Sequence, residues 1–178
     1  MKSFSLAITC GALFTLFFLL GTTRLQGQQP IDCNGDLFLT HAADADDPTA
    51  IIQFNPDRLN WDTLAMADVH IAPIGYRIID QVLYGLDQDN WNLMRMDGDG
   101  QVSVVADLSS SIDTTYDFFA GDVSPTGRYL TLIGRDRTPG LDRELFFILL
   151  CNGSDHVGRV RVVNADGFPI AAMGLDPQ

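Results

Sequence analysis

The sequence predicts an all-β body assembled from short antiparallel strands in repeated units, and three observations carry that prediction. A Leu-rich β-type segment recurs at a near-constant step: Leu37-Phe38-Leu39-Thr40, Leu83-Tyr84-Gly85-Leu86 and Leu130-Thr131-Leu132-Ile133, 46 and then 47 residues apart. Turn chemistry separates the apolar segments, most clearly at Asp97-Gly98-Asp99-Gly100 and Asn164-Ala165-Asp166-Gly167. Finally, Glu144 is the one glutamate among 23 acidic residues, and Lys2 is the one lysine. Aspartate favours turns, whereas Glu and Lys favour helices, so this composition disfavours a helical body.

The N-terminus reads separately. Lys2 is followed by an almost unbroken apolar run from Phe4 to Leu20, then by small and polar residues through Gln29. That order of charge, apolar stretch and small-residue exit is a secretory signal, here assigned to residues 1–27. The run approaches membrane-spanning length, but polar and acidic sequence begins straight after it, which favours a cleaved leader over an anchor. Cleavage after Gly27 leaves Gln28 at the new terminus, with Leu25 at a position that usually holds a small residue. Cys10 lies too early for lipid attachment. The apolar run from Phe4 to Leu20 is expected to be helical and detached from the β-body. Beyond Gly27 the chain keeps nine arginines against 23 acidic residues, a net charge of about −14. Such a field repels nucleic acid and anionic lipid, so neither is an expected partner, and no membrane contact is expected after cleavage.

Residues 28–178 are expected to form one repeat domain. A first segment carries glycine after an apolar residue (Ile74-Gly75-Tyr76, Ala120-Gly121-Asp122), and the Leu-rich segment follows it after a turn at Asp80-Gln81 or Ser124–Gly127. A third segment comes next: Ile51–Phe54, Leu93–Met96 and Leu145–Ile148. The fourth runs Trp61–Met66, Val102–Val105 and Val157–Val163, the last with partial two-residue alternation. Prolines 48, 56, 73, 125, 139 and 169 are placed at joints, since strand centres exclude them. Four strands per unit of about 46 residues is the period of a β-propeller blade. One such sheet cannot bury either face alone, and stacking covers both, in keeping with apolar second and third segments that barely alternate. A β-sandwich is the competing architecture, but it has no reason to repeat its segments in register.

The expected units are a partial blade at 36–67, blades at 71–107 and 117–163, and the start of a further blade at 168–178, where Met173-Gly174 repeats the first-segment motif. Closed propellers need four or more blades, so the domain is expected to be an incomplete propeller and an N-terminal fragment of a longer chain. The expectation is an open fan of two or three twisted sheets with apolar faces uncovered at both ends. Alone, residues 28–178 are therefore expected to associate or to be poorly soluble.

The stretch Cys33–Leu39 after a leader, Gly75 followed by Val82-Leu83-Tyr84-Gly85-Leu86-Asp87, and Leu93–Gly100 resemble a family of secreted bacterial propeller-like domains of unknown function. Such domains often stand at the front of large surface or adhesin-like proteins. The resemblance covers residues 33–178 and departs in the third unit, where Leu130–Gly134 replaces the Leu-Tyr-Gly-Leu-Asp pattern and a longer loop, 135–143, intervenes. It implies a secreted, cell-surface setting and carries no catalytic residues.

Asp44, Asp46 and Asp47, and Asp87, Asp89, Asp97 and Asp99, are clustered as calcium ligands can be, but neither group fits the helix-flanked calcium loop, and solvated turns are the expected state. His41, His70 and His156 lack a carboxylate or nucleophile at motif spacing. Ser124 is not a nucleophile elbow. Trp61, Trp91 and Tyr116 are expected to pack between blades. Cys33 and Cys151 share the tripeptide Cys-Asn-Gly, lack the company of a zinc site, and are expected on different blades, unbonded to each other. Asn152-Gly153-Ser154 matches a glycosylation sequon. No catalytic, cofactor or metal residues are assigned. The expected function is a non-catalytic extracellular binding or display module, with an unknown protein or glycan as ligand. The alternative is a propeller hydrolase or lyase working in the central channel, where Tyr76, Arg77, Asp80, Asp122 and Asp176 fall at the ends of the first strands.

Overall fold

The computed structural model describes residues 29–44, 47–137, 143–150 and 157–164, and no helix occurs among them. The leader, Asp46, Cys151, the sequon, His156 and the segment 168–178 lie outside the described residues. So do the expected leader helix and the pairing state of Cys33 with Cys151; Cys33 itself is exposed.

Eleven strands form three antiparallel meanders. The first sheet holds β1 (Leu37–His41), β2 (Thr49–Asn55) and β3 (Asn60–Ala67). The second holds β4 (Ile71–Arg77), β5 (Val82–Asp87), β6 (Asn92–Met96) and β7 (Val102–Asp107), and the third β8 (Tyr116–Val123), β9 (Tyr129–Asp136), β10 (Arg143–Leu149) and β11 (Val160–Asn164). Each Leu-rich repeat segment is thus a strand: β1, β5 and β9.

The second sheet lies between the other two, and its alternation explains how. Tyr84 and Leu86 of β5, with Leu93 of β6, join Phe118, Leu130, Leu132, Phe146 and Ile148 in one core against the third sheet. Leu83, Met94 and Met96 point the other way and join Ile31, Ile51, Ala67 and Ile71 in a second core against the first sheet. Every residue of β5 is buried. A strand covered on both faces has no reason to alternate polar and apolar residues, which is why its sequence does not. Phe118 and Phe146 meet edge to face at 4.8 Å, while Phe38 stacks on Tyr76 at 5.4 Å across the other junction.

Three details depart from expectation. Pro73 sits inside β4 rather than at a joint, within a register shift between Ile71 and Ile74. The strand is an edge of its sheet, so the missing N–H breaks no ladder bond that the interior of a sheet would need. Trp91 is buried and Tyr116 packs on the core, but Trp61 is 73% exposed on β3 and packs between no sheets. Its cross-strand partner is Phe54, which pairs in turn with Leu37, on the outer face of the first sheet. Asp87 is not a solvated turn residue: it is 1% exposed and accepts hydrogen bonds from the backbone N–H groups of Asp89 and Asn90 and from the Asn90 amide, at 3.0–3.1 Å. Burial there is compatible with a carboxylate because the following turn supplies its donors.

Candidate functional site

The three sheets come closest at their first strands. A Cβ built on Gly75 of β4 would lie 2.8 Å from the Asp122 carbonyl carbon of β8, and closer still to Val123 N. From the other side, a Cβ on Gly121 would lie 2.9 Å from Pro73 Cγ. Only a residue without a side chain lets two backbones approach so closely, and that is the physical content of the repeated glycine.

Polar side chains hold this seam at both ends. At one end Gln88 donates from Nε2 to the carbonyls of Ala72 (2.8 Å) and Phe118 (3.0 Å) and accepts from Phe118 N at 3.2 Å, tying β4 to β8. At the other, Arg77 donates from Nε to Gly127 O at 2.6 Å and from a terminal nitrogen to Asp80 Oδ2 at 2.7 Å. Tyr84 donates its O–H to the same carboxylate oxygen at 2.8 Å, and the guanidinium carbon stands 5.8 Å from the Tyr84 ring centre. Burial, followed by the hydrogen bond to Asp80 and that carboxylate's charge, pushes the Tyr84 phenol up to about 12, against a smaller opposing pull from Arg77. Tyr76 donates to Ile31 O at 3.0 Å and is also raised, first by burial and then by Cys33, Asp32 and Asp80. These phenols are protonated at neutral pH and serve as donors. Arg77, Asp80 and Tyr84 therefore clamp one sheet onto the turn of the next, and Asp122 turns back on its own strand to accept from Val123 N at 2.7 Å. Tyr116, raised to about 12 by burial and by its 2.7 Å bond to Glu144, belongs to the core of the second junction.

A separate opening lies elsewhere. A cleft of about 480 Å³ runs between the end of β1 and the start of β4, lined by Thr40, His41, Asp44, Thr49, His70 and Ala72 among others. Its walls are fixed: Thr49 Oγ1 donates to Val69 O at 2.9 Å and accepts from Ile71 N at 3.2 Å, and Asp89 accepts from His70 N at 3.2 Å. With the buried Thr49 hydroxyl engaged in the wall, His41, His70, Thr40 and Asp44 are the polar residues lining the space, a set able to hydrogen-bond a polar ligand. Among the described residues, no group of three or more His, Cys, Asp or Glu side chains is placed to hold a metal ion.

The chain matches no known family model, no curated protein and no solved structure. Its function therefore has to be argued from its own residues.

Ser124 closes the β8–β9 turn, accepting from Tyr129 N at 3.1 Å. Asp97 organises the β6–β7 hairpin by accepting from Asp99 N and Gln101 N, both at 3.1 Å. Asp44 and Asp47 meet through their backbones, Asp47 N donating to Asp44 O at 3.1 Å. Sequence reasoning missed Gln88, which no motif marks, and it missed the cleft. His41 ends β1 and His70 immediately precedes β4, and only the fold brings them to one opening. No helix among the described residues is long and apolar enough to cross a membrane.

Proposed function

We propose that this protein is an exported, non-catalytic binding or display module whose sheets are arranged like blades of a β-propeller. The observation that carries the blade reading is the close approach of β4 and β8, where Gly75 lies against Asp122–Val123 and Gly121 against Pro73. Sheets that touch at their first strands, with β5 of the middle sheet buried on both faces, support that reading, whereas the two layers of a sandwich leave one face of each sheet outward. Of the strand-end groups that a channel enzyme would need, Arg77 and Asp80 are engaged in holding sheets together. The His41–His70 cleft is the place for a ligand, a polar group on a protein or glycan. Export rests on the leader-like order of residues 1–27, and a strongly acidic, Asp-rich body suits a partner that is neutral or cationic.

The test of export is direct. Residues 1–40 fused to a reporter that folds only in an oxidising compartment are expected to give a secreted product whose N-terminus is at or near Gln28. An uncleaved fusion retained in the cytoplasm or held in the membrane would sink the extracellular reading.

A further inference from the structure

We infer that Asn34 is a site of spontaneous covalent modification, at which the side-chain amide is converted through a cyclic imide to aspartate and isoaspartate. The inference rests on the entry to β1 and not on export.

Asparagine is among the chemically labile residues, and a following glycine exposes it most. The backbone nitrogen of Gly35, on losing its proton, attacks Cγ of the Asn34 side chain. A bond forms from that nitrogen to Cγ, the bond from Cγ to the amide nitrogen breaks, and the nitrogen leaves as ammonia with the proton. Water then opens the five-membered ring. Opening at Cγ leaves aspartate. Opening at the main-chain carbonyl leaves isoaspartate, in which the chain runs through Cγ and is longer by one methylene. One water is consumed and one ammonia released, with no change of oxidation state.

The reaction needs a backbone nitrogen free of hydrogen bonds, no side chain on the residue that carries it, and room for the ring. Asn34 and Gly35 are both exposed and lie in the bend ahead of β1. Among the described residues, neither has a hydrogen-bond partner. A Cβ built on Gly35 would meet no atom within 4 Å beyond its chain neighbours, and its φ of 84° is one that favours glycine.

The molecule contains its own comparison. Aspartate before glycine closes the same ring with loss of water, and two such pairs, Asp97-Gly98 and Asp99-Gly100, form the β6–β7 turn. Both fail the conditions. Gly98 N donates to Gln29 O at 2.7 Å, and a Cβ there would lie 2.5 Å from Pro30 O. Gly100 N donates to Asp97 O at 3.0 Å.

The position of Asn34 gives the change a consequence. Upstream, Ile31 is fixed by its N–H on Gln81 O at 2.7 Å and by the Tyr76 hydroxyl on its carbonyl. Downstream, the Asp36 carboxylate accepts from Gln53 Nε2 at 2.5 Å and from Asn55 Nδ2 at 2.6 Å, both on β2. Only residues 32–35 bridge these two anchors. A methylene inserted at residue 34 alters that short tether, and either product adds a negative charge between Asp32 and Asp36 in the chain. Both effects loosen the hold on β1.

The test is peptide mapping by mass spectrometry of the purified protein, kept at neutral and at mildly alkaline pH beside a synthetic peptide of residues 31–37. The expected result is loss of the Asn34 amide at a rate close to the peptide's and in proportion to hydroxide concentration, with isoaspartate among the products. Asp97 and Asp99 are expected to keep their ordinary linkages over the same period. Asn34→Gln, which would have to close a six-membered ring, is expected to keep its amide. Backbone amides of β1 are expected to exchange faster in the isoaspartate form than in the parent. An Asn34 amide that persists in the folded protein while the peptide converts overturns the proposal, as does conversion seen only after unfolding in urea. Equal β1 exchange in the two forms overturns the effect assigned to the tether.

Discussion

At the scale of single residues, the chain invests its few cations and phenols in joining sheets. Arg77 is 4% exposed in its side chain and Asp80 16%, so the pair is largely out of water and depends on its further hydrogen bonds, from Arg77 to Gly127 and from Tyr84 to Asp80. The Tyr84 phenol has a folded pKa of about 12, above the ordinary value of 10.0 that it returns to on unfolding, and Tyr116 is raised to the same level. The folded state therefore holds these protons more tightly. Their contribution to stability is complete below pH 10 and is lost as pH climbs toward 12. Urea unfolding measured from pH 9 to pH 12 is expected to show the midpoint falling through that upper window. The double variant Tyr84→Phe, Tyr116→Phe should start lower and lose most of the slope. A wild-type midpoint that stays level between pH 10 and 12 would contradict both phenol–carboxylate bonds.

At the scale of elements, the strands were legible and the way they turn was only partly so. Leu37–Thr40, Leu83–Leu86 and Leu130–Ile133 could be read because second strands of stacked sheets are buried and repeat with the unit. The hairpin at Asp97–Gly100 could be read because its residues are turn formers, and Gly100 does adopt a positive φ of 73°. Three other hairpins hide their turn. The loops ending at Leu59, Gln81 and Trp91 each place a non-glycine residue at φ 52–58°, where sequence statistics expect glycine or asparagine. Trp91 is held there by burial and by an edge contact with Phe118 at 6.1 Å. Leu59 has no such compensation, being 79% exposed. Leu59→Gly is therefore expected to raise stability by about 1 kcal/mol, the usual cost of a left-handed L-residue less the added freedom of glycine in the unfolded chain. Denaturant titration would register this as a higher midpoint at constant slope; a lower midpoint would mean that Leu59 packs on something in solution. The cleft was illegible for a different reason. Its walls come from β1, the β1–β2 connection and the start of β4, and no local pattern relates His41 to His70.

At the scale of the whole molecule, two cores of unequal extent share the second sheet as a common wall. The core against the third sheet joins five aromatic rings, those of Tyr84, Trp91, Phe118, Phe146 and the flanking Tyr116, to Leu86, Leu93, Leu130, Leu132 and Ile148. The core against the first sheet is built on Ile31, Ile51, Ala67, Ile71, Leu83, Met94 and Met96. The first sheet also leaves Leu37, Leu39, Trp61 and Met66 exposed on its outer face, so it gains burial from one side only. Since stability follows buried apolar area, the first sheet should open at lower free energy than the other two. Backbone amide exchange is expected to be slowest in β5, β6 and β9 and fastest in β1–β3. Ile51→Ala, which removes a side chain 1% exposed in the smaller core, should cost about 2–5 kcal/mol locally and speed exchange in the first sheet. Exchange in β9 should stay at the wild-type rate. Leu132→Ala, fully buried in the larger core, should speed exchange in the second and third sheets together, because they share that core. Equal protection in all three sheets, falling in step under Ile51→Ala, would show a single cooperative unit and remove the basis for ranking the two junctions.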